Sequence, residues 1–200
     1  VDRGRIRVVS PYPDPVFRPA DGAPERVQER FGLRDYCLAV GDLGPRKNLA
    51  ALGEAIRRLG AEAPALALVG RPGPGGERIA AEAGGRWLGH VDDETLADLY
   101  RAAAVTAYPS HYEGFGLPVV EAMACGCPVV ASARGAIPEV AGGAAILVGP
   151  EPGSIADGLR TALEPAAADR LRAAGPARAA RYTREAMGSA AWAAVREVGG

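Results

Sequence analysis

The chain has 200 residues, enough for one domain with a full core or for two small ones. Lys plus Arg total 23 against 24 for Asp plus Glu, so no global field would draw it to nucleic acid or to an acidic membrane surface. The three cysteines, Cys37, Cys125 and Cys127, lack metal-ligand spacing: Cys-Gly-Cys is too tight for a zinc knuckle and no second pair supports it.

The chain opens mid-phrase, on "VDRGRIRVVS", without a methionine. Ile6 to Val9 read as a short apolar strand. "SPYPDPVFRP" follows, with four prolines in ten residues, and reads as a stiff extended connector. The expectation is a cut through a longer protein just before an interdomain linker.

Beyond it the pattern alternates. "APERVQERFGL" suits a short helix, and "YCLAVGDL" is a buried strand by its apolar run. "NLAALGEAIRRLG" places Leu49, Leu52, Ile56 and Leu59 at helical spacing and stops on glycine. "PALALVG" predicts a strand, "GGERIAAEAGG" a helix and "RWLGHV" another strand. "DDETLADLYRAA" opens with carboxylates, as helix N-termini favour. "AVTAYPS", "CPVVAS" and "AAILVG" complete the strands, with a helix opening near Pro118 and a short one at "IPEVAG". "SIADGLRTALE", "AAADRLRAAG" and "REAMGSAAWAAVREV" close the chain as helices.

Apolar strands without polar alternation, interleaved with helices, predict a parallel sheet covered on both faces. The fold class is therefore α/β, a Rossmann-like doubly wound sheet of about six strands. Ligands in such folds bind outside the carboxyl ends of the strands, which directs the search to the strand-to-helix loops.

In "GDLGPRKN", Gly41 and Gly44 free the backbone, and Arg46 and Lys47 stand together at a helix entrance. Cations there are unfavourable beside the partial positive charge of the helix end, unless an anion sits between them. A diphosphate would suit; so would a solvated basic pair with Asn48 as helix cap. "GRPGPGG" does not match the dinucleotide fingerprint and reads as a flexible loop at the mouth of a site.

"HYEGFGLPVVEAMA" places Glu113 and Glu121 with seven residues between them, around a turn that opens a helix. Pro118 suits a first helical position, and Gly114 and Gly116 before it free the backbone N–H groups to face a ligand, at an end that stabilises negative charge. Glu121, about one turn inside, could accept from two vicinal hydroxyls, and Glu113 would address the other end of the same ligand. Taken singly, each glutamate is equally an exposed charge. His90 and His111 are candidate contacts, neither marked as a base by its surroundings, and each is equally a satisfied loop residue.

These stretches resemble one family. "YEGFGLPVVEAMACGCPVVAS" is similar to the E-x7-E signature of retaining glycosyltransferase family 4 (glycosyl transferases group 1, GT-B fold). "VGDLGPRKNLAALGEAI" resembles its Gly-rich loop with Arg-Lys-Asn. "LALVGRPG", "RWLGHVDDETLADLYRAAAVTAYPS" and "IPEVAGGAAILVGPEPGSIADGL" follow its order. The resemblance runs from about Ile6 to about Val198 and points to the carboxyl-terminal, donor-binding half. It implies that Glu121 holds the ribose hydroxyls of a nucleoside-diphosphate sugar, Arg46 and Lys47 the diphosphate, Glu113 the transferred sugar, and the backbone N–H groups of Gly114, Phe115, Gly116 and Leu117 the sugar or phosphate. It implies no metal or cofactor.

Two features depart from the family pattern. The connector "SPYPDPVF" replaces the usual Asn-Gly-Val-Asp, and the amino-terminal domain that would receive a sugar, lipid or small-molecule acceptor is missing. The expected organisation is residues 1–18 as first strand and connector, 19–182 as donor domain, and 183–200 as a helix that packs on the absent domain. That helix would leave Trp192 and its alanines exposed. The expected activity is hexosyl transfer with retention, latent in this half alone. The alternatives are a non-catalytic nucleotide-sugar binding module and a sugar-nucleotide epimerase of related fold. With no apolar run near the roughly 20 residues that span a bilayer, the expected location is cytoplasmic, or peripheral at the inner membrane face through the absent domain.

Overall fold

The computed structural model describes residues 6–73 and 75–198. Its backbone follows from residue parity in the strands. In β1 (Tyr36–Val40), Tyr36 and Leu38 join one apolar cluster, while Cys37 and Ala39 join another on the opposite face. The same alternation runs through β2 (Ala65–Val69), with Ala67 and Val69 on the first side and Leu66 and Leu68 on the second. A strand buried on both faces has no position for polar residues, which is why these segments read as continuous apolar runs.

β3 (Arg86–Trp87), β4 (Val105–Tyr108), β5 (Val129–Ser132) and β6 (Ile146–Val148) complete a six-stranded parallel sheet, in spatial order β3-β2-β1-β4-β5-β6. β1 pairs with β2 through Tyr36 and Ala65, and with β4 through Cys37 and Val105. Strand order thus reverses between β1 and β4, and the crevice at their carboxyl ends is where a doubly wound sheet offers a ligand site.

One face is covered by α1 (Ala23–Phe31), α4 (Asp93–Ala102) and α5 (Leu117–Ala124), whose Val27, Leu99, Tyr100, Val120 and Met123 are buried. The other carries α2 (Leu49–Leu59), α3 (Gly76–Ala83) and α7 (Pro152–Leu163), through Leu52, Ile79, Ile155 and Leu159. α6 (Ile137–Ala141) follows β5; α8 (Pro165–Ala179) and α9 (Arg184–Val198) end the described chain. Asp92 caps α4 by accepting from Thr95 N at 2.8 Å, the role its place before the carboxylate-rich first turn predicts.

Four sequence expectations change. Ile6–Val9 form no strand: they are irregular and exposed, with no neighbouring strand to complete a ladder. "RWLGHV" contributes only a two-residue strand at the sheet edge. Leu117, not Pro118, is the first residue of α5. α8 continues past Gly175 and Pro176, which sequence alone reads as a stop. Gly175 lies directly on α5, where a Cβ would fall 2.9 Å from Met123 O. The close packing of the two helices thus outweighs the weak local propensity. The first five residues of the expected strand-and-connector segment, Pro74 of "GRPGPGG", and Gly199 and Gly200 lie outside the described residues.

The connector is anchored rather than loose. Arg101 of α4 donates to Val16 O at 2.6 Å and Arg18 O at 2.7 Å. Phe17 packs edge-on against Tyr100, with ring centroids 6.0 Å apart. Arg7 pairs with Glu197 of α9 at 2.5 Å, so the first and last described segments meet. Trp192 and Val195 of α9 are 64% and 62% exposed. Among the described residues no helix is long and apolar enough to cross a membrane.

Candidate functional site

Three loops converge at the β1/β4 switch. The first runs from Gly41 to Asn48 and carries a single 3-10 turn, Pro45–Lys47. Lys47 folds back across Gly41: a Cβ there would lie 2.5 Å from Lys47 Cε, and the backbone φ of +134° also favours glycine. The residue is therefore only 8% exposed. Its Nζ donates to Tyr108 Oη at 2.8 Å and Glu113 Oε1 at 2.9 Å, and lies 4.4 Å from the Tyr108 ring centroid. Arg46 is more open and meets Glu113 Oε2 at 2.5 Å. Asn48, in a left-handed conformation, makes no cap bond with its side chain. Instead its amide donates to Pro109 O at 3.3 Å and Pro150 O at 2.9 Å, tying the loops after β1, β4 and β6 together.

The anion that the basic pair calls for is, in this structure, Glu113. Burial alone would raise the Glu113 pKa, but the hydrogen bonds from Lys47 and Arg46 outweigh it and hold the carboxyl below its usual range. Burial lowers the Lys47 pKa, and Glu113 opposes that shift. The backbone of Glu113 is held from the other side, where Ala136 N donates to its carbonyl at 3.3 Å. Gly135 passes so close that a Cβ would fall 2.5 Å from that oxygen.

After Glu113 the chain turns into α5. Gly116 has φ +93°, and a Cβ would lie 2.3 Å from Ile137 Cδ1. Phe115 packs edge-on to Tyr182, with centroids 5.3 Å apart. The N–H groups of Gly114, Phe115, Gly116 and Leu117 donate to no backbone carbonyl among the described residues. Gly116 and Leu117 are the N-cap and first residue of α5, so their N–H groups are orphan donors of a helix opening, suited to an external anion.

Glu121 lies inside α5, 9% exposed. Among the described residues its one side-chain hydrogen bond comes from the buried Tyr100 hydroxyl, 3.2 Å from Oε2. Burial pushes its pKa up to about 7; the Tyr100 bond opposes the rise and Asp93 adds to it.

The loop after β2 braces the first loop by backbone contact. Leu43 N donates to Arg71 O at 3.0 Å, and a Cβ at Gly70 would lie 2.0 Å from Gly41 O. The glycines of "GRPG" thus serve close loop packing. A cavity of about 370 Å³ opens between the two loops, lined by Asp42, Gly44, Arg46, Lys47 and Arg71 among others. Another, about 310 Å³, lies on the far side of the α5 opening, against Gly114, Phe115, Glu139 and Tyr182.

Of the residues expected from sequence, Arg46, Lys47 and Glu113 form one cluster, with Gly41 and Gly44 in the loop that carries the two cations and Gly114 to Leu117 in the turn that follows Glu113. Glu121 follows on α5. His90 is not part of the cluster: it is exposed after β3, and among the described residues its side chain makes no hydrogen bond. His111 contributes only its backbone N–H, to Arg46 O at 2.9 Å. Tyr100 and Tyr108 were not anticipated. Their signal in the sequence is slight: a tyrosine late in α4, and one at the last position of a buried strand. Among the described residues no three His, Cys, Asp or Glu side chains gather as a metal site requires.

The profile described as Glycosyl transferases group 1 matches residues 34–165. The chain is 40% identical over 142 residues to O-antigen chain mannosyltransferase B of Escherichia coli, covering 66% of this chain and 37% of that protein. In structure it is similar to sucrose-phosphate synthase from Thermosynechococcus elongatus, with a TM-score of 0.81 and 28% identity, over 96% of this chain and 52% of that one. It is also similar to the C-terminal domain of a glycosyl transferase group 1 family protein from Francisella tularensis. There the TM-score is 0.69 at 27% identity, over 82% of this chain and 94% of that domain. The chain thus spans about half, or less, of the full-length proteins it matches. Its six-stranded parallel sheet is the Rossmann-like half of a GT-B architecture, and the chain belongs to the family of glycosyl transferases group 1.

Proposed function

We propose that this chain is the donor-binding half of a retaining glycosyltransferase of family 4, which moves a sugar from a nucleoside diphosphate to an acceptor hydroxyl. The observation that carries the reading is the meeting of Lys47 and Arg46 with the α5 opening turn at the strand-order reversal. A charge-assisted fork, a buried ammonium and unpaired backbone N–H groups together suit a diphosphate. Matching nearly all of an isolated C-terminal domain, but only half of a whole synthase, supports placing it as the second half.

In this reading the diphosphate takes the cations, and Glu113 yields them and turns its carboxylate to hydroxyls of the transferred sugar. Glu121 accepts from the ribose diol. As the glycosidic bond breaks, charge grows on the leaving oxygen, and the two cations with the helix opening stabilise it without a metal. The acceptor enters from the absent amino-terminal domain, which packs against α9 and covers Trp192 and Val195. Alone, the domain binds donor but does not transfer.

Calorimetry with UDP, GDP and ADP in metal-free buffer tests the proposal. Heat of binding is expected for at least one of them. No heat from any at millimolar concentration contradicts it.

A further inference from the structure

Glu121 is buried on α5, and among the described residues its carboxyl has one hydrogen-bond partner, a phenol contributed by a different helix. Tyr100 is fully buried on α4, with its hydroxyl 3.2 Å from Glu121 Oε2. A phenol that only filled space there would need no oxygen, and burying an O–H is tolerated when it finds an acceptor. Tyr100 is itself held. Phe17 of the connector packs edge-on against its ring at 6.0 Å. Arg101, the next residue, fixes that connector through Val16 O and Arg18 O. At the preceding residue, Tyr36 of β1 donates to Leu99 O at 2.6 Å. The phenol is thus fixed by the sheet beneath it and by the connector beside it.

We propose that Tyr100 is the positioning residue for Glu121: its O–H takes Oε2 and fixes the carboxylate so that Oε1 is presented to a vicinal diol. The proposal rests on the nucleotide reading above and adds the element that gives it ribose selectivity. A carboxylate has about four lone-pair sites on two oxygens. With one committed to Tyr100, the remainder are aimed rather than free to rotate, which spares the ordering cost when a diol binds. The connector then gains a role beyond linkage, because it buttresses the residue that orients the ribose contact.

Tyr100→Phe removes one oxygen and keeps the ring. The readout is the affinity for whichever of UDP, GDP and ADP binds, measured beside its 2′-deoxy form. Loss of one oriented hydrogen bond should weaken the ribonucleotide about fivefold to tenfold and the 2′-deoxy form, which keeps only the 3′-hydroxyl of the diol, by clearly less. Adding Glu121→Gln to Tyr100→Phe should cost little more than Glu121→Gln alone.

Unchanged ribonucleotide affinity overturns the proposal. Equal losses for both nucleotides also overturn it, since they would mark a structural role only. Should Tyr100→Phe fail to fold, Phe17→Leu carries the test: it keeps the hydroxyl but frees the ring, and a smaller ribose-selective loss is expected.

One measurement needs no nucleotide, and so separates failure of this proposal from failure of the nucleotide reading. The Glu121 carboxyl is titrated by carbon NMR in the empty chain, where Tyr100 and Asp93 from α4, Tyr108 from β4 and Cys125 at the end of α5 act on it. Tyr100→Phe should raise its midpoint, because the bond to the ionised form is gone. An unmoved midpoint overturns the coupling even if nucleotide binds.

Discussion

Glu113 and Glu121 are almost equally buried, at 8% and 9% exposure, yet their surroundings drive them in opposite directions. Glu113 sits at the meeting of two loops and receives Lys47 and Arg46, so it stays ionised. Glu121 sits between two helices and receives a single phenol, so burial dominates and its proton is held to about pH 7. The difference teaches that a carboxylate's state is set by the partners the fold delivers, not by the depth at which it lies. The site therefore contains one satisfied carboxylate, whose partners a ligand must take over, and one under-satisfied carboxylate, whose missing donors a ligand can supply.

Breaking the satisfied half should give the largest effect. Lys47→Ala leaves Glu113 buried with Arg46 alone and removes the point charge from the diphosphate site. Nucleoside-diphosphate affinity is expected to fall roughly tenfold to a hundredfold, the size of a lost charged hydrogen bond of about 1.5–3 kcal/mol. Calorimetry on the folded variant checks it, and wild-type affinity would remove Lys47 from the site.

The under-satisfied half should show itself through pH. The folded chain holds the Glu121 proton more tightly than the unfolded chain does. Stability therefore falls as pH rises from the usual carboxylate range to about 7, and stays lowered above it. Glu121→Gln removes that cost. It should stabilise the empty chain by about 3 kcal/mol at pH 8 and by little near pH 4.5, as read from urea unfolding at the two pH values. Glu113 has the opposite sign: its pairing contributes above the ordinary carboxylate range and is lost as pH falls through its lowered pKa. A gain from Glu121→Gln that is equal at both pH values would mean that Glu121 is not protonated differently in the folded state.

The smallest expected effect distinguishes a competitor from a support. If Glu113 occupies cations that the diphosphate needs, Glu113→Gln should bind the free nucleoside diphosphate about threefold to fivefold more tightly, a gain of about 1 kcal/mol. The same variant should lose affinity for the intact nucleotide sugar. Weaker binding of both ligands would make Glu113 a structural brace for the basic pair instead.

How much of this could be read from residues alone varies with the range of the interaction. The parallel sheet, the strand-to-helix loops and the two glutamates around a helix-opening turn are local patterns, and period, composition and spacing carry them. Arg46 and Lys47 were recognisable because two cations at a helix entrance are anomalous locally. What occupies them was not recognisable. Glu113 lies 66 residues from Lys47 in sequence and meets it only because β1 and β4 are neighbours across the strand-order reversal. Tyr100 and Tyr108 were missed for the same reason, since a tyrosine's hydrophobic body is legible in an apolar pattern while the partner of its hydroxyl is not. The stop expected at Gly175-Pro176 failed because α5 packs against that glycine.

The sequence by itself thus determined the class of fold, the loops that face the site and the residue types available there, because each depends on neighbours a few positions away. Only the tertiary structure decided the charge state of each carboxylate. That depends on desolvation and on donors brought from distant elements, both of which exist only once the sheet has assembled its strands in order.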